Sequence, residues 1–180
     1  MRRVAGHHNI RLDGISDLLN RARGASVMDV GCNRGLVGYE FACNGAELVH
    51  GCDSYEHGIE TAREIFSDIR NVKSHFEIVD LTKGPSALAP FNGQRYDIML
   101  LLATYHKINR VMQPEHLSGL IRHLGQLTLH HFAWRATSKD NSGNELELKA
   151  LDRDLENFDR IHTSYLSETL GIAAIWKRRS

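Results

Sequence analysis

The chain has no excess of either charge: 22 lysines and arginines stand against 22 aspartates and glutamates, for a formal net charge of zero. With a pI near 7.2, nothing global points to a nucleic-acid binder. The basic pairs and triplets at the two ends, Arg2-Arg3 and Lys177-Arg178-Arg179, are read as solvated, solubilising ends. Cysteine is scarce and odd in number: Cys32, Cys43 and Cys52 form no C-x-x-C pair. That argues against a disulfide framework and fits a reducing, cytoplasmic setting. No apolar run approaches the length of a membrane span, and no leader with an apolar h-region opens the chain, so neither membrane nor export is expected. Histidine is plentiful, 11 residues, but His7-His8 and His130-His131 lack metal-ligand spacing, and no metal is expected.

What is present is an apolar fraction of 42% spread along 180 residues, enough for one domain with one core. Residues 9–23 space Ile10, Ile15, Leu18 and Leu19 as on a helix, which Gly24 stops. A short buried strand over 26–30 runs into a glycine turn and a helix over 35–44. A strand over 46–53, an amphipathic helix over 55–69 and a strand over 73–81 follow. Residues 82–94 read as loop with at most one helical turn. "RYDIMLLLAT" (95–104), the most apolar run, suits a central strand buried on both faces. Pro114 opens a helix whose stripe is Leu117, Leu120, Ile121 and Leu124, and 127–134 is a fifth strand. A polar turn at 139–145, a charged helix to about 157 and strands near 160–166 and 171–177 close the chain. The alternation predicts an α/β doubly wound three-layer sandwich, its last two strands antiparallel at or near an edge. Three stretches are delimited: an N-terminal helix or lid over 1–24, a core over 25–135, and a C-terminal helix and strand pair over 136–180.

The first strand delivers "DVGCNRG" to its carboxyl end, where doubly wound sheets bind ligands. Glycine there admits positive φ and close backbone approach. A nicotinamide fingerprint needs G-x-G-x-x-G, but Asn33 holds the second place and Leu36 the third, so that oxidoreductase reading fails. Asp29 lies inside an apolar strand end, which is costly unless amides or a cationic ligand satisfy it. Asp53 follows the second strand, where a carboxylate accepts ribose hydroxyls, and Asp80 ends the third, placed for an adenine edge. Three carboxylates at successive strand ends repel polyphosphate and suit a cationic, hydroxylated ligand.

"VMDVGCNRG", "ELVHGCD", "FEIVDL" and "YDIMLLLATYHKI", in this order and spacing, resemble the class I (Rossmann-like) S-adenosylmethionine-dependent methyltransferases over about residues 25 to 135. The resemblance implies a seven-stranded, mostly parallel sheet of order 3-2-1-4-5-7-6 with an antiparallel last strand, and S-adenosylmethionine as cofactor, with S-adenosylhomocysteine as product. By position it implies that Asp29, Gly31, Asn33 and Gly35 surround the methionine part, with Cys32 and Arg34 in support. It assigns Asp53 to the ribose, Asp80 to the adenine amine, Ser54 or Tyr55 to the adenine flank, and Leu81 to packing on the base. Asn33 departs from the glycine of many members, but a G-x-N-x-G version also occurs.

Methyl transfer rests on in-line positioning, with a general base where the acceptor arrives protonated. Acceptor-facing groups are expected after the central strand, at Thr104, Tyr105, His106 and Lys107. His106, with Tyr105 beside it, is the catalytic candidate because imidazole titrates near neutrality and the resemblance places a histidine there. His7, His8 and Arg11 are candidates for a lid, and Trp134 for the acceptor border; Trp176 is expected in the core and His130-His131 as structural. No Asp/Asn-Pro-Pro-Tyr motif, no Pro-Cys nucleophile and no added RNA-binding module is present. The expectation is O-methylation of a small-molecule, sugar or sugar-phosphate acceptor; a likeness of "DVGCNRG" and "LATYHKI" to glycan methyltransferases points the same way. A non-catalytic cofactor-binding module of a partner complex, and an RNA or protein methyltransferase with a partner subunit, are the alternatives. A homodimer or a partner protein is compatible with the chain.

Overall fold

The computed structural model describes residues 10–136, 141–166 and 171–180. Seven strands form one sheet of order 3-2-1-4-5-7-6. They are β1 (Ser26–Val30), β2 (Leu48–Asp53), β3 (Lys73–Ile78), β4 (Tyr96–Leu102), β5 (Thr128–Arg135), β6 (Phe158–Tyr165) and β7 (Ile172–Arg178). β1 to β5 pair in parallel, and β7 runs antiparallel between β5 and β6. β6 and β3 are the two edges, and the β6–β7 register slips between Arg160 and His162.

Helices cover both faces, as continuous apolar strands require. α1 (Leu36–Cys43), α2 (Glu56–Ser67) and the N-terminal segment bury Ile15, Leu18, Phe41, Ile59 and Phe66 on one face. On the other, α3 (Tyr105–Asn109), α4 (Pro114–Leu127) and α5 (Asn141–Asp154) pack with a 3-10 segment over Leu81–Phe91. α4 starts on Pro114, whose missing N–H is no loss at a first turn, and buries the expected stripe. β4 is buried along nearly its whole length, as a central strand should be. No helix among the described residues is long and apolar enough to cross a membrane.

Four elements differ from expectation. In place of one helix over 9–23, the described residues from 10 onward form two 3-10 turns, Ile10–Leu12 and Ser16–Arg21. Gly14 separates them at φ +75°, where a Cβ would stand 2.5 Å from that of Ala173. The stretch 82–94 is more ordered than a loop, its two 3-10 pieces meeting at Gly84 with φ +71°. Prolines are tolerated in such short turns because few backbone donors are needed. β3 ends at Ile78, so Asp80 caps the next turn instead of ending the strand. α5 begins at Asn141, inside the expected polar turn.

Candidate functional site

The carboxyl ends of β1, β2, β4 and β5 enclose a cavity of about 410 Å³. Its floor is the turn after β1. Gly31 (φ +80°) and Gly35 (φ +69°) take left-handed conformations, and so does Asn33 at φ +51°. Asparagine is among the few side chains that tolerate this region, which explains how it stands in a glycine turn. At Gly31 a Cβ would run into the side chain of Thr104; at Gly35 it would lie 2.9 Å from that of Ala62. The N–H groups of Gly31 and Cys32 both donate to Cys52 O, at 2.8 and 3.0 Å, which ties the turn to β2.

Two carboxylates face each other across this turn. Asp53 ends β2 and accepts from the Asn33 N–H (2.8 Å, Oδ2) and the Tyr55 N–H (3.0 Å, Oδ1). It is therefore held in one orientation before any ligand arrives. Asp29 is 3% exposed and its Oδ2 has no hydrogen-bond partner. Burial lifts its pKa to about 7; the Gly38 N–H opposes the shift and the Asp53 charge adds to it. Gly38 also lets α1 approach the sheet, since a Cβ would stand 2.8 Å from Val49 Cγ1. Burial pushes the Cys32 thiol far up and Cys52 up to about 12, so both stay neutral.

The opposite wall is cationic. Arg11, Arg34, Lys107 and Arg135 line the cavity with Leu36, Val37, Leu102, Ala103 and Tyr55. Arg135, the last residue of β5, is 6% exposed; its Nη1 donates to Ile10 O at 2.8 Å, while Nε has no partner. Burial lowers its pKa, Asp13 raises it and Arg11 lowers it. A guanidinium nevertheless keeps its charge in such settings. Thr104 does not line the cavity: its Oγ1 donates to Leu102 O at 3.0 Å and fixes the turn after β4.

Of the residues expected at the cofactor, Asp29, Gly31, Cys32, Asn33 and Asp53 line the cavity. Gly35 shapes the turn from behind, and Ser54, Asp80 and Leu81 lie outside the lining. Asp80 accepts from the Thr82 N–H (3.0 Å) and Oγ1 (2.6 Å), and these bonds hold its carboxyl below the usual range. Tyr105 is buried in the core beside α4, its phenol pushed up to about 12 mainly by burial, and it does not reach the cavity. His106 is half-buried; burial, then Lys107 and Arg110, lower its pKa and leave a neutral imidazole at pH 7. It too lies outside the lining, which takes Lys107 instead. Trp134 and Trp176 are core residues, the latter donating Nε1–H to Asp152 at 2.8 Å. His7 and His8 lie outside the described residues.

Arg135, Leu102 and Ala103 did not emerge from the sequence. Arg135 carries the same signal as Asp29, a charge ending a largely apolar strand ("LHHFAW" then Arg135). Ala103 lies at φ +55°, which no sequence pattern announces.

No protein-family model and no curated protein sequence matches the chain. Solved structures do. Magnesium protoporphyrin IX methyltransferase from Synechocystis PCC 6803, with bound S-adenosylhomocysteine, aligns at a TM-score of 0.65 and 20% identity, over 97% of this chain and 89% of that one. N-methyltransferase NodS from Bradyrhizobium japonicum WM9 aligns at 0.66 and 10% identity, over 92% of each chain. The ribosomal protein L11 methylase from Lactobacillus delbrueckii subsp. bulgaricus aligns at 0.62 and 18% identity, over 90% of this chain and 75% of that one. The chain therefore has the class I methyltransferase fold. Since a porphyrin and a ribosomal protein both figure among these acceptors, the fold selects none.

Proposed function

We propose that this chain transfers a methyl group from S-adenosylmethionine to an oxygen of a small, anionic acceptor such as a sugar phosphate. The observation that carries the cofactor half is Asp29: a buried carboxylate oxygen without a partner, beside a turn in which a Cβ at Gly31 has no room. Such an oxygen calls for a cationic or hydrogen-bond-donating group, and the methionine part of the cofactor offers both. Asp53, already oriented by two amides, takes the ribose hydroxyls. Tyr55 at the cavity wall flanks the base. Ser54, Asp80 and Leu81 are retained as contacts to the adenine from outside the lining. When bound, the cofactor supplies an electrophilic methyl on a positively charged sulfur.

The acceptor half rests on the cationic wall. Arg135 and Lys107 offer charge-assisted donors to a carboxylate or phosphate and would orient it for in-line attack. His106, neutral at pH 7 and one residue from Lys107, is proposed as the base that takes the proton of an acceptor hydroxyl. Tyr105 is proposed to act indirectly, its buried ring holding α3 and hence His106 in place.

Calorimetry with S-adenosylmethionine, S-adenosylhomocysteine and NAD tests the cofactor half: both sulfur nucleotides bind and NAD does not. Asp53→Ala weakens that binding by at least about tenfold, or about 1.4 kcal/mol. Failure of either sulfur nucleotide to bind would sink the proposal. Labelled methyl transfer into fractionated extracts then identifies the acceptor. Near-normal turnover of His106→Ala with that acceptor would retire His106 as base. A chain that binds both nucleotides yet transfers to nothing is a binding module.

A further inference from the structure

A second cavity, of about 430 Å³, lies at the other end of the sheet, where β1, β4 and β5 begin and β7 finishes. Arg21, Arg23, Lys177 and Arg178 line it with a single carboxylate, Asp97. In a chain of zero net charge this concentration of one sign is local.

Two of these groups are already committed. Arg178 donates to Thr128 O and Gly125 O at the end of α4 and lies 4.6 Å over the Phe158 ring. That is the ordinary use of a cation at a helix C-terminus. Asp97 accepts from the Ser26 N–H and Oγ through one oxygen, both at 2.7 Å, and its other oxygen lies 3.5 Å from His130. The side chains of Arg21, Arg23 and Lys177 make no hydrogen bond or ion pair among the described residues. Beside them His131 is 6% exposed, lines the cavity, and keeps Nε2 without a partner. Burial, then Arg21, His130 and Lys177, lower its pKa to about 4, so the ring is neutral beside these cations.

We propose that this cavity binds the phosphate group of a small ligand. A solvated basic face does not require a buried, unpartnered histidine in its lining. Three uncommitted cations suit a dianion better than a single carboxylate, and the volume is that of a small-molecule site. Lys177, which in sequence belongs to a run read as a solvated end, is thereby given a role. Arg179 of the same run is instead paired with Asp159 at 2.8 Å.

The test uses the full chain and inorganic phosphate at low ionic strength. Histidine-labelled NMR should show the His131 resonances moving to saturation with a Kd at or below about 1 mM, a titration that Arg135→Met in the first cavity leaves unchanged. Arg23→Ala/Lys177→Ala, both on exposed side chains, should weaken binding at least about tenfold, while Lys149→Ala leaves it unchanged. Sulfate, whose charge is constant from about pH 8 to about pH 5, should bind more tightly as pH falls across that range, because a bound dianion favours protonated His131. The double variant should retain wild-type affinity for S-adenosylhomocysteine, which separates this site from the one proposed for methyl transfer. No saturable shift at His131, or equal phosphate affinity in the double variant, overturns the proposal. So does a single-stranded oligonucleotide binding here far more tightly than phosphate, since that would make the surface a polyanion track.

Discussion

Asp29→Asn separates the cost of a buried charge from the loss of a ligand contact. Burial above all pushes the Asp29 carboxyl up to about 7 from an ordinary value of 3.8. Between those values the unfolded chain has released a proton that the native state keeps, so stability falls as pH rises through this window. Above pH 7 the penalty is complete. At about 1.4 kcal/mol per pH unit it amounts to roughly 4 kcal/mol, of which about 2 to 3 kcal/mol accrues between about pH 5 and pH 8.5. Asparagine removes the charge and keeps an oxygen for the Gly38 N–H. Its amide, unpartnered like the oxygen it replaces, costs about 1–3 kcal/mol, but at every pH alike. The signature is therefore a difference between pH values and not a single melting temperature. The advantage of Asp29→Asn over wild type should grow by roughly 5–10 °C in Tm from about pH 5 to about pH 8.5. Thermal unfolding followed by circular dichroism reads it directly. An equal difference at both pH values would refute the reasoning. Wild-type binding of S-adenosylmethionine should in addition release protons near neutrality, seen as a buffer-dependent enthalpy, and Asp29→Asn should abolish that release.

Two further outcomes follow from the same site. Gly31→Ala combines a left-handed conformation, worth about 1–2 kcal/mol of strain, with a clash on Thr104. Gly93→Ala carries the strain alone, since nothing lies within 4 Å at φ +82°. Chemical denaturation should rank Gly31→Ala clearly below Gly93→Ala, and equal losses would show that the turn has room. Arg135→Met should keep affinity for S-adenosylhomocysteine within about threefold while raising the acceptor KM; a KM left unchanged would remove Arg135 from acceptor recognition.

The central place of β4 and the turn after β1 were legible because they rest on local signals, whereas the strand order came only with the family resemblance. A charge in an apolar strand end, such as Asp29, is visible in the sequence, since its burial is costly unless the fold or a ligand supplies partners. Features set by distant packing were not legible. Helical spacing over 9–23 gives way to two 3-10 turns because Gly14 meets Ala173, which belongs to the opposite end of the chain. The partial alternation of "KSHFEIVDL" predicts a strand reaching Asp80, but the Asp53–Ile78 pair is the last rung between β2 and β3. Its carboxylate then serves the next turn. Arg135 faces the cavity only because β5 lies beside β4, a neighbour relation and not a motif.

The slipped register between Arg160 and His162 has a consequence for association. β6 is an outer strand, and an extended outer strand is a template on which a second chain can add its own. The irregularity twists this one, and it carries Asp159, Arg160 and His162 along its exposed length. At the other margin β3 carries Lys73, His75 and Glu77, with Arg63 of α2 reaching Glu77 at 3.5 Å. Both margins thus carry charged side chains that oppose extension of the sheet by another strand.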